Sequence, residues 1–366
     1  MRDRYIYGEE IQEADVVRND SIISRRRLLA TGSAGAAILA LAACGEAHDE
    51  GRLGGAEEVA GAARAGGGPS AELDGGPKFV EDPTEMVGPV GIGQNDERKD
   101  IYVVTADNKL FEFTNEGVLN YWSDGGDEIT DRQHPFNAPS DTTMDRTRVL
   151  WVLDAGNAQV QKFSTYLGRP EGHMNIPKIW GDPDLEGATQ LRSSGFGFPY
   201  IITADERLIR FSADGSNKTV IEPPEAGGLW RGVTAVPVEG EIFGLDWDPD
   251  QGKSKLFQIN RVGLDYEIEH KADFEDLVEP GHMSVNREEQ FYVLDPANDE
   301  IHRFEIDGTR SASFGGSGSG DGQFSGATGL QAGVEGVYVA DNGNNRIVHF
   351  DSDGNFIKSW GGAGTG

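Results

Sequence analysis

One apolar motif returns six times between residues 101 and 340, and few architectures accept a chain built that way. Its copies are Ile101-Tyr102-Val103-Val104, Leu150-Trp151-Val152-Leu153, Pro199-Tyr200-Ile201-Ile202, Ile242-Phe243-Gly244-Leu245, Phe291-Tyr292-Val293-Leu294 and Val337-Tyr338-Val339-Ala340. The aromatic positions are 49, 49, 43, 49 and 46 residues apart. Four copies run into an aspartate, at Asp154, Asp246, Asp295 and Asp341, and the other two into Thr105 and Thr203. A polar turn and another strand follow each copy, ending in phenylalanine in five of six units: Phe113, Phe163, Phe211, Phe304 and Phe350. Most of these strands alternate apolar with polar residues, the pattern of a half-buried strand. The next turns carry Gly117, Gly168, Gly215, Gly263, Gly308 and Gly354, where a tight hairpin needs a residue that tolerates positive φ.

With one strand before each aromatic strand and one after each glycine turn, a unit holds about four strands. Antiparallel units of 40–50 residues are blades of a β-propeller, arranged radially so that few sheet edges stay open. The chain is therefore expected to be all-β, a six-bladed propeller with four antiparallel strands per blade, over residues 79–366. The last unit carries a more specific pattern. Gly315-Gly316, Gly322-Gln323-Phe324 and the run Val337-Tyr338-Val339-Ala340-Asp341-Asn342-Gly343-Asn344-Asn345-Arg346-Ile347-Val348-His349-Phe350 resemble an NHL repeat. The earlier units follow it less faithfully, and the fourth departs most, with Asp246-Trp247-Asp248-Pro249-Asp250-Gln251-Gly252 between its strands. The resemblance implies an NHL-type propeller acting as an interaction platform, for another extracytoplasmic protein or a small ligand.

The first 78 residues read as an address. Ser24-Arg25-Arg26-Arg27-Leu28-Leu29 precedes an apolar stretch ending at Ala43, which is shorter than the roughly 20 residues a membrane helix requires. The long polar start and the Arg25-Arg26 pair resemble a twin-arginine export signal, with Leu28 where such signals commonly carry phenylalanine. Leu41-Ala42-Ala43-Cys44-Gly45 resembles a lipobox, which implies cleavage before Cys44 and a diacylglycerol on its thiol. Residues 1–43 are thus expected to be a lipoprotein signal peptide. Residues 44–78, rich in Gly, Ala and Glu, bury too little surface to offset chain entropy and are expected to be a disordered tether. The expected location is outside the cytoplasm, lipid-anchored on the outer face of the cytoplasmic membrane, with onward sorting to an outer membrane where the cell has one.

Composition closes other routes. A single cysteine in 366 residues cannot form an internal disulfide. With 62 acidic against 32 basic side chains the net charge is −30, which leaves no basic face for nucleic acid. Residues 1–43 hold six of each sign, so the exported part keeps 56 against 26 and the same −30. Only 10 of the 32 basic residues are lysine, and an acidic, lysine-poor surface suits high salt, where screening removes self-repulsion.

Propellers place ligand sites at the channel mouth and on loops, so the starts of the inner strands come first. Ten residues before the aromatic positions of units two to six stand Asp141, Gln190, Val233, His282 and Thr328, with Arg231 close by. Asp141, Gln190, Arg231 and His282 are the candidate channel binding residues; solvated channel positions are the plain alternative for each. The alternative function is a metal-dependent propeller enzyme. Six-bladed NHL resemblance includes the peptidyl-hydroxyglycine lyase, which uses channel histidines on zinc, and calcium lactonases share the six-bladed architecture. A zinc site takes three protein ligands and an open position. His48 falls in the tether, His302 and His349 in the strand after the aromatic one, and His173 and His270 outside the inner strands. That leaves His282 and His134. Asp246, Asp248 and Asp250 fail as an EF-hand loop, with Gln251 at the sixth position and Phe257 at the twelfth, and read as a solvated hairpin excursion. No phosphate loop, nucleophile elbow or His-Glu-x-x-His motif is present. No cofactor is expected, calcium or zinc being the ions to test, and no catalytic residue is assigned.

Overall fold

A computed structural model of the chain describes residues 86–361 apart from 96–97, 124, 128–131, 165–177, 196, 225–226, 237–240, 263–264, 276 and 278–279. At 121–123, 125–127, 132–134 and 164 only the backbone is described. Arg25, Arg26, Cys44, His48 and His173, and with them the signal and the tether, lie outside the described residues.

Six four-stranded antiparallel sheets follow one another along the chain. Blade 1 comprises Pro89–Gln94, Ile101–Thr105, Leu110–Phe113 and Leu119–Ser123. Blade 2 comprises Pro139–Met144, Val149–Asp154, Gln159–Ser164 and Lys178–Gly181, and blade 3 Gln190–Ser193, Pro199–Ile202, Leu208–Phe211 and Lys218–Ile221. Blade 4 comprises Leu229–Ala235, Ile242–Asp248, Lys253–Val262 and Asp265–Phe274. Blade 5 comprises Met283–Val285, Phe291–Asp295, Glu300–Phe304 and Arg310–Gly315, and blade 6 Ala327–Gly333, Gly336–Asp341, Arg346–Phe350 and Phe356–Gly361. The molecule is a six-bladed β-propeller, and among the described residues the helical segments are single 3₁₀ turns. A separate ribbon, Gly125–Asp127 with Arg132–Pro135, carries residue 134, so this histidine is not on an inner strand.

The continuous apolar runs now have a cause. Each aromatic strand is the second of its blade and is buried on both sides, because successive side chains point into opposite seams. In blade 1, Tyr102 and Val104 pack toward blade 2 with Leu150 and Val152. Ile101 and Val103 pack toward blade 6 with Tyr338 and Ala340. The same division gives six apolar cores, one for each seam of the ring.

The recurring aspartate ties a seam to the end of the second strand. Asp154 accepts the Asn137 N–H at 2.7 Å and the side-chain amides of Asn157, Gln159 and Gln161 at 2.9, 2.7 and 3.0 Å. Asp341 does the same with the Ser325 N–H, Asn344 and Arg346 Nε, each at 2.8 Å. Where threonine stands instead, Thr105 and Thr203 donate to Asp107 and Asp205 two residues on, closing the turn locally. These carboxylates satisfy buried backbone donors and belong to the scaffold.

Gly168 and Gly263 lie outside the described residues; the other glycine turns between third and outer strands have two requirements at once. Gly117, Gly215 and Gly354 adopt φ of 80°, 78° and 86°. A Cβ there would also stand 3.0 Å from Trp360, 2.5 Å from Trp180 and 2.4 Å from Phe314, aromatic residues of the preceding blade's outer strand. Gly117 on Trp360 is thus the blade 6 to blade 1 version of a joint used elsewhere in the ring. That seam is completed by Gly88 N–H on Asn345 Oδ1 at 2.7 Å, Thr328 Oγ1 on the Pro89 carbonyl at 3.2 Å and Lys358 on Glu116 at 3.0 Å. Every blade uses consecutive strands, so the ring closes through side chains without exchanging a strand between the chain ends.

Blade 4 stands taller than its neighbours because its middle hairpin is extended by Trp247↔Ser254 and Asp248↔Lys253. The Asp248 carboxylate accepts the N–H groups of Asp250 and Gln251 at 3.0 and 3.1 Å and the Gln251 amide at 2.5 Å. It caps the turn. The expected hairpin excursion is what this segment forms.

Candidate functional site

The inner strands meet around the axis, and their register decides which side chains face one another there. The residue opposite the second position after each aromatic is Gly91, Asp141, Gln190, Gly232, His282 or Gly329 in blades 1 to 6. A constant offset of ten residues finds this position only where five residues separate the innermost paired ends, as between Met144 and Leu150, Ser193 and Pro199, and Val285 and Phe291. Six residues separate Ala235 from Ile242 and four separate Ala332 from Val337. Val233 and Thr328 are therefore each one residue out of register, and Gly232 and Gly329 take their places. The three glycines let inner strands approach: a Cβ on Gly91 would lie 2.5 Å from Asp141 Cα, one on Gly232 2.9 Å from Met283 Cβ, and one on Gly329 2.7 Å from the Val90 carbonyl.

Asp141 and His282 come together with a third residue, Arg192, which the sequence reading passed over. All three are almost fully buried. Asp141 Oδ2 accepts the Leu191 N–H at 2.8 Å and Arg192 Nη1 at 2.7 Å, while Oδ1 accepts the Thr142 N–H at 2.8 Å. Arg192 Nη2 reaches His282 Nδ1 at 3.0 Å and the Leu330 carbonyl at 3.2 Å, and Nη1 also donates to the Leu191 carbonyl at 2.6 Å. His282 Nε2 lies 3.1 Å from Asp141 Oδ2. Nη2 also lies 3.2 Å from Nε2; since a guanidinium only donates, the arrangement these distances fit is a neutral imidazole with Nδ1 accepting from Arg192 and Nε2–H donating to Asp141. Arg192 thereby links blades 2, 3, 5 and 6 across the axis.

Electrostatics agree with that assignment. Burial pulls the Asp141 carboxyl upward, but Arg192, His282 and the Leu191 N–H outweigh it and hold the group below the ordinary carboxylate value. Burial first, then the Arg192 charge, push His282 below the ordinary imidazole value against the opposing pull of Asp141. A divalent cation approaching Asp141 and His282 would meet the guanidinium already bonded to both. Among the described residues, no group of three or more His, Cys, Asp or Glu side chains is arranged to hold a metal.

Gln190 serves the next seam. Its Nε2 donates to the Arg231 carbonyl at 2.6 Å and its Oε1 accepts the Val233 N–H at 3.2 Å. The Arg231 side chain turns away from this network and pairs with Glu206 at 2.7 Å. It is one of four residues, Val90, Ser140, Arg231 and Thr328, that β-bulges leave unpaired at the starts of the inner strands. These four differ in every blade that carries them: Val90 packs on the core of the blade 1–2 seam, the Ser140 hydroxyl is buried, Arg231 pairs with Glu206 and Thr328 is exposed. The sequence signal that could have found Arg192 is its place opposite the aromatic Tyr200, where blades 2, 4 and 5 have the small polar residues Thr143, Thr234 and Ser284.

No protein-family model matches the sequence, and no curated protein does. Solved structures resemble the fold. A streptogramin B lyase aligns with a TM-score of 0.50 at 12% identity, covering 77% of this chain and 85% of that one. A catalytically inactive virginiamycin B lyase from Staphylococcus aureus, solved with quinupristin, aligns with a TM-score of 0.50 at 12% identity over 76% and 85%. A gluconolactonase from Xanthomonas campestris aligns at 0.46 with 11% identity over 70% and 84%. At such identities the likeness is one of fold.

Proposed function

We propose that the chain is an exported, lipid-anchored propeller of NHL type that binds another extracytoplasmic protein or a small ligand. Arg25 and Arg26 would direct export through the twin-arginine route and Cys44 would carry the lipid, leaving residues 44–78 as the tether. The observation that carries the binding reading is the state of the channel: the Asp141 carboxylate and both His282 nitrogens are engaged with one another and with Arg192. The imidazole offers no free nitrogen for acid–base work, and the bulge positions at the inner-strand starts, Val90, Ser140, Arg231 and Thr328, change from blade to blade. Fold alone does not decide function, and the lyase named among the structural neighbours contributes no residue to this reading. The net charge of −30 favours a partner with a basic surface, since complementary fields speed encounter and fix register.

Cross-linking intact cells with a membrane-impermeant reagent tests the proposal. A discrete higher-mass adduct of the full chain, reduced when Arg231 and Thr328 are replaced by Glu and Trp, is the expected result. A chain that stays monomeric overturns the protein-partner reading, and divalent-metal-dependent turnover of lactones or of peptidyl-hydroxyglycine by the purified protein overturns the binding role altogether.

A further inference from the structure

Blade 5 holds a constellation that the channel does not involve. Ser313, exposed on the outermost strand Arg310–Gly315, is the cross-strand partner of His302. Its Oγ lies 2.8 Å from His302 Nδ1. The imidazole is 4% exposed, set in the seam facing blade 4 beside Phe304, and its Nε2 faces the Asp295 carboxylate at 3.6 Å and Glu300 at 3.8 Å. Asp295 is 0% exposed and anchored in turn by the Ala297 N–H at 3.2 Å and the Asn298 amide at 2.9 Å.

Comparison with the other blades separates the scaffold's part from the rest. The third-strand residue equivalent to His302 is Gln161 in blade 2, whose amide donates to Asp154 at 3.0 Å. A glutamine therefore satisfies the recurring aspartate, and its cross-strand partner there is Ile179. In blade 6 the equivalent pair is Val348 and Ser359, a serine with no base beside it. Among the described residues, blade 5 alone joins an exposed hydroxyl to an imidazole beside a buried carboxylate, which the fold does not require.

We propose that Ser313 is a serine nucleophile activated by His302, able to take an acyl group from a small carboxylic ester at the propeller's rim. The bond polarity fits: a hydroxyl donating to Nδ1 puts the ring proton on Nε2, on the side of the Asp295 carboxylate. At 3.6 Å the Nε2–Asp295 contact is an ion-pair distance and not a hydrogen bond, and a catalytic role requires it to shorten when substrate binds. Burial of the ring holds it below the ordinary imidazole value, so it is a neutral base at neutral pH. In the reaction, Ser313 Oγ adds to the ester carbonyl carbon as its proton passes to Nδ1. The tetrahedral adduct expels the alcohol, which takes that proton and leaves acyl-serine. Water then adds to the acyl carbon, giving a proton to Nδ1, and the serine leaves with that proton as the free acid departs. The strand is the edge of its sheet, and the outward-facing backbone N–H groups of such a strand lack ladder partners and can donate to the oxyanion.

The test uses the purified full chain and p-nitrophenyl acetate, read by p-nitrophenol release and by intact and peptide mass. Wild type is expected to gain one acetyl group on Ser313 and to release p-nitrophenol roughly 10²-fold faster than the variants, the usual worth of one positioned base. Ser313→Ala removes the nucleophile at an exposed position. His302→Gln removes the base while supplying the glutamine that blade 2 uses at the same place, so the fold is retained. Loss of acetylation in both variants supports the proposal. Acetylation elsewhere, no acetylation of wild type, or equal rates in wild type and Ser313→Ala overturns it, whatever the His302→Gln chain does.

Discussion

Arg192 Nη1 lies 2.7 Å from Asp141 Oδ2, both side chains almost fully buried, and the same guanidinium reaches His282 at 3.0 Å on the far side of the axis. Arg192→Leu would leave the Asp141 carboxylate buried without its cation. Breaking a buried pair from one side costs about 3–5 kcal/mol, so the urea midpoint is expected to fall accordingly. Arg192→Leu combined with Asp141→Leu should cost less than the two single changes added together, because each single change strands the other partner. Strict additivity would show that the two residues do not act as a unit.

Acid sensitivity follows from three histidines. His282, His302 and His349 all have folded pKa values lowered from 6.5, burial being the largest cause for each. The unfolded chain then binds protons more readily than the folded one, so this contribution is complete above 6.5 and is lost as pH falls through the folded values. Asp141, also lowered, contributes above 3.8 and fails only in stronger acid. Melting temperature is expected to hold from about pH 8 to about pH 7 and to drop on the way to about pH 5, with up to about 1.4 kcal/mol per pH unit from each histidine. A chain that grows more stable over that interval would contradict the assignment.

Glycines at the blade joints can be told apart from ordinary turn glycines. Gly354→Ala forces a residue with φ of 86° and a Cβ 2.4 Å from Phe314, whereas Gly227→Ala has the same φ of 86° with nothing within 4 Å. The first is expected to lose about 3 kcal/mol or more and the second about 1 kcal/mol, the cost of left-handed backbone alone. Equal losses in chemical denaturation would remove the joint from the account.

Salt should stabilise the protein. Raising KCl from about 0.1 M to about 1 M shortens the screening length from about 10 Å to about 3 Å, weakening the mutual repulsion behind a net charge of −30. The melting temperature is expected to rise across that series. A fall would mean that attractive pairs such as Lys218 with Asp182 and Asp184 outweigh the excess charge.

The blades were legible because Tyr102, Trp151 and their equivalents lie on strands buried on both sides, which leaves an unbroken apolar run that loops lack. Turn glycines were legible for the same local reason, although their second duty against Trp360, Trp180 and Phe314 was not. Asp141, Gln190 and His282 emerged from counting along a repeat, and the count failed where the turns after Ala235 and Ala332 differ from five residues. Arg192 stayed hidden because its partners lie 51 and 90 residues away. Ring closure was hidden likewise: Gly88 on Asn345 spans 257 residues, and no spacing rule encodes such a bond.

The binding role proposed for the propeller depends on its being held outside the cell by Cys44. Membrane fractionation of cells expressing wild type and Cys44→Ser, with impermeant labelling of surface amines, tests this most directly. Wild type is expected in the membrane pellet and labelled on intact cells, and Cys44→Ser in the soluble exported fraction with an unchanged melting temperature. Retention of Cys44→Ser in the membrane pellet, or a wild-type chain that is shielded from the label, would contradict it.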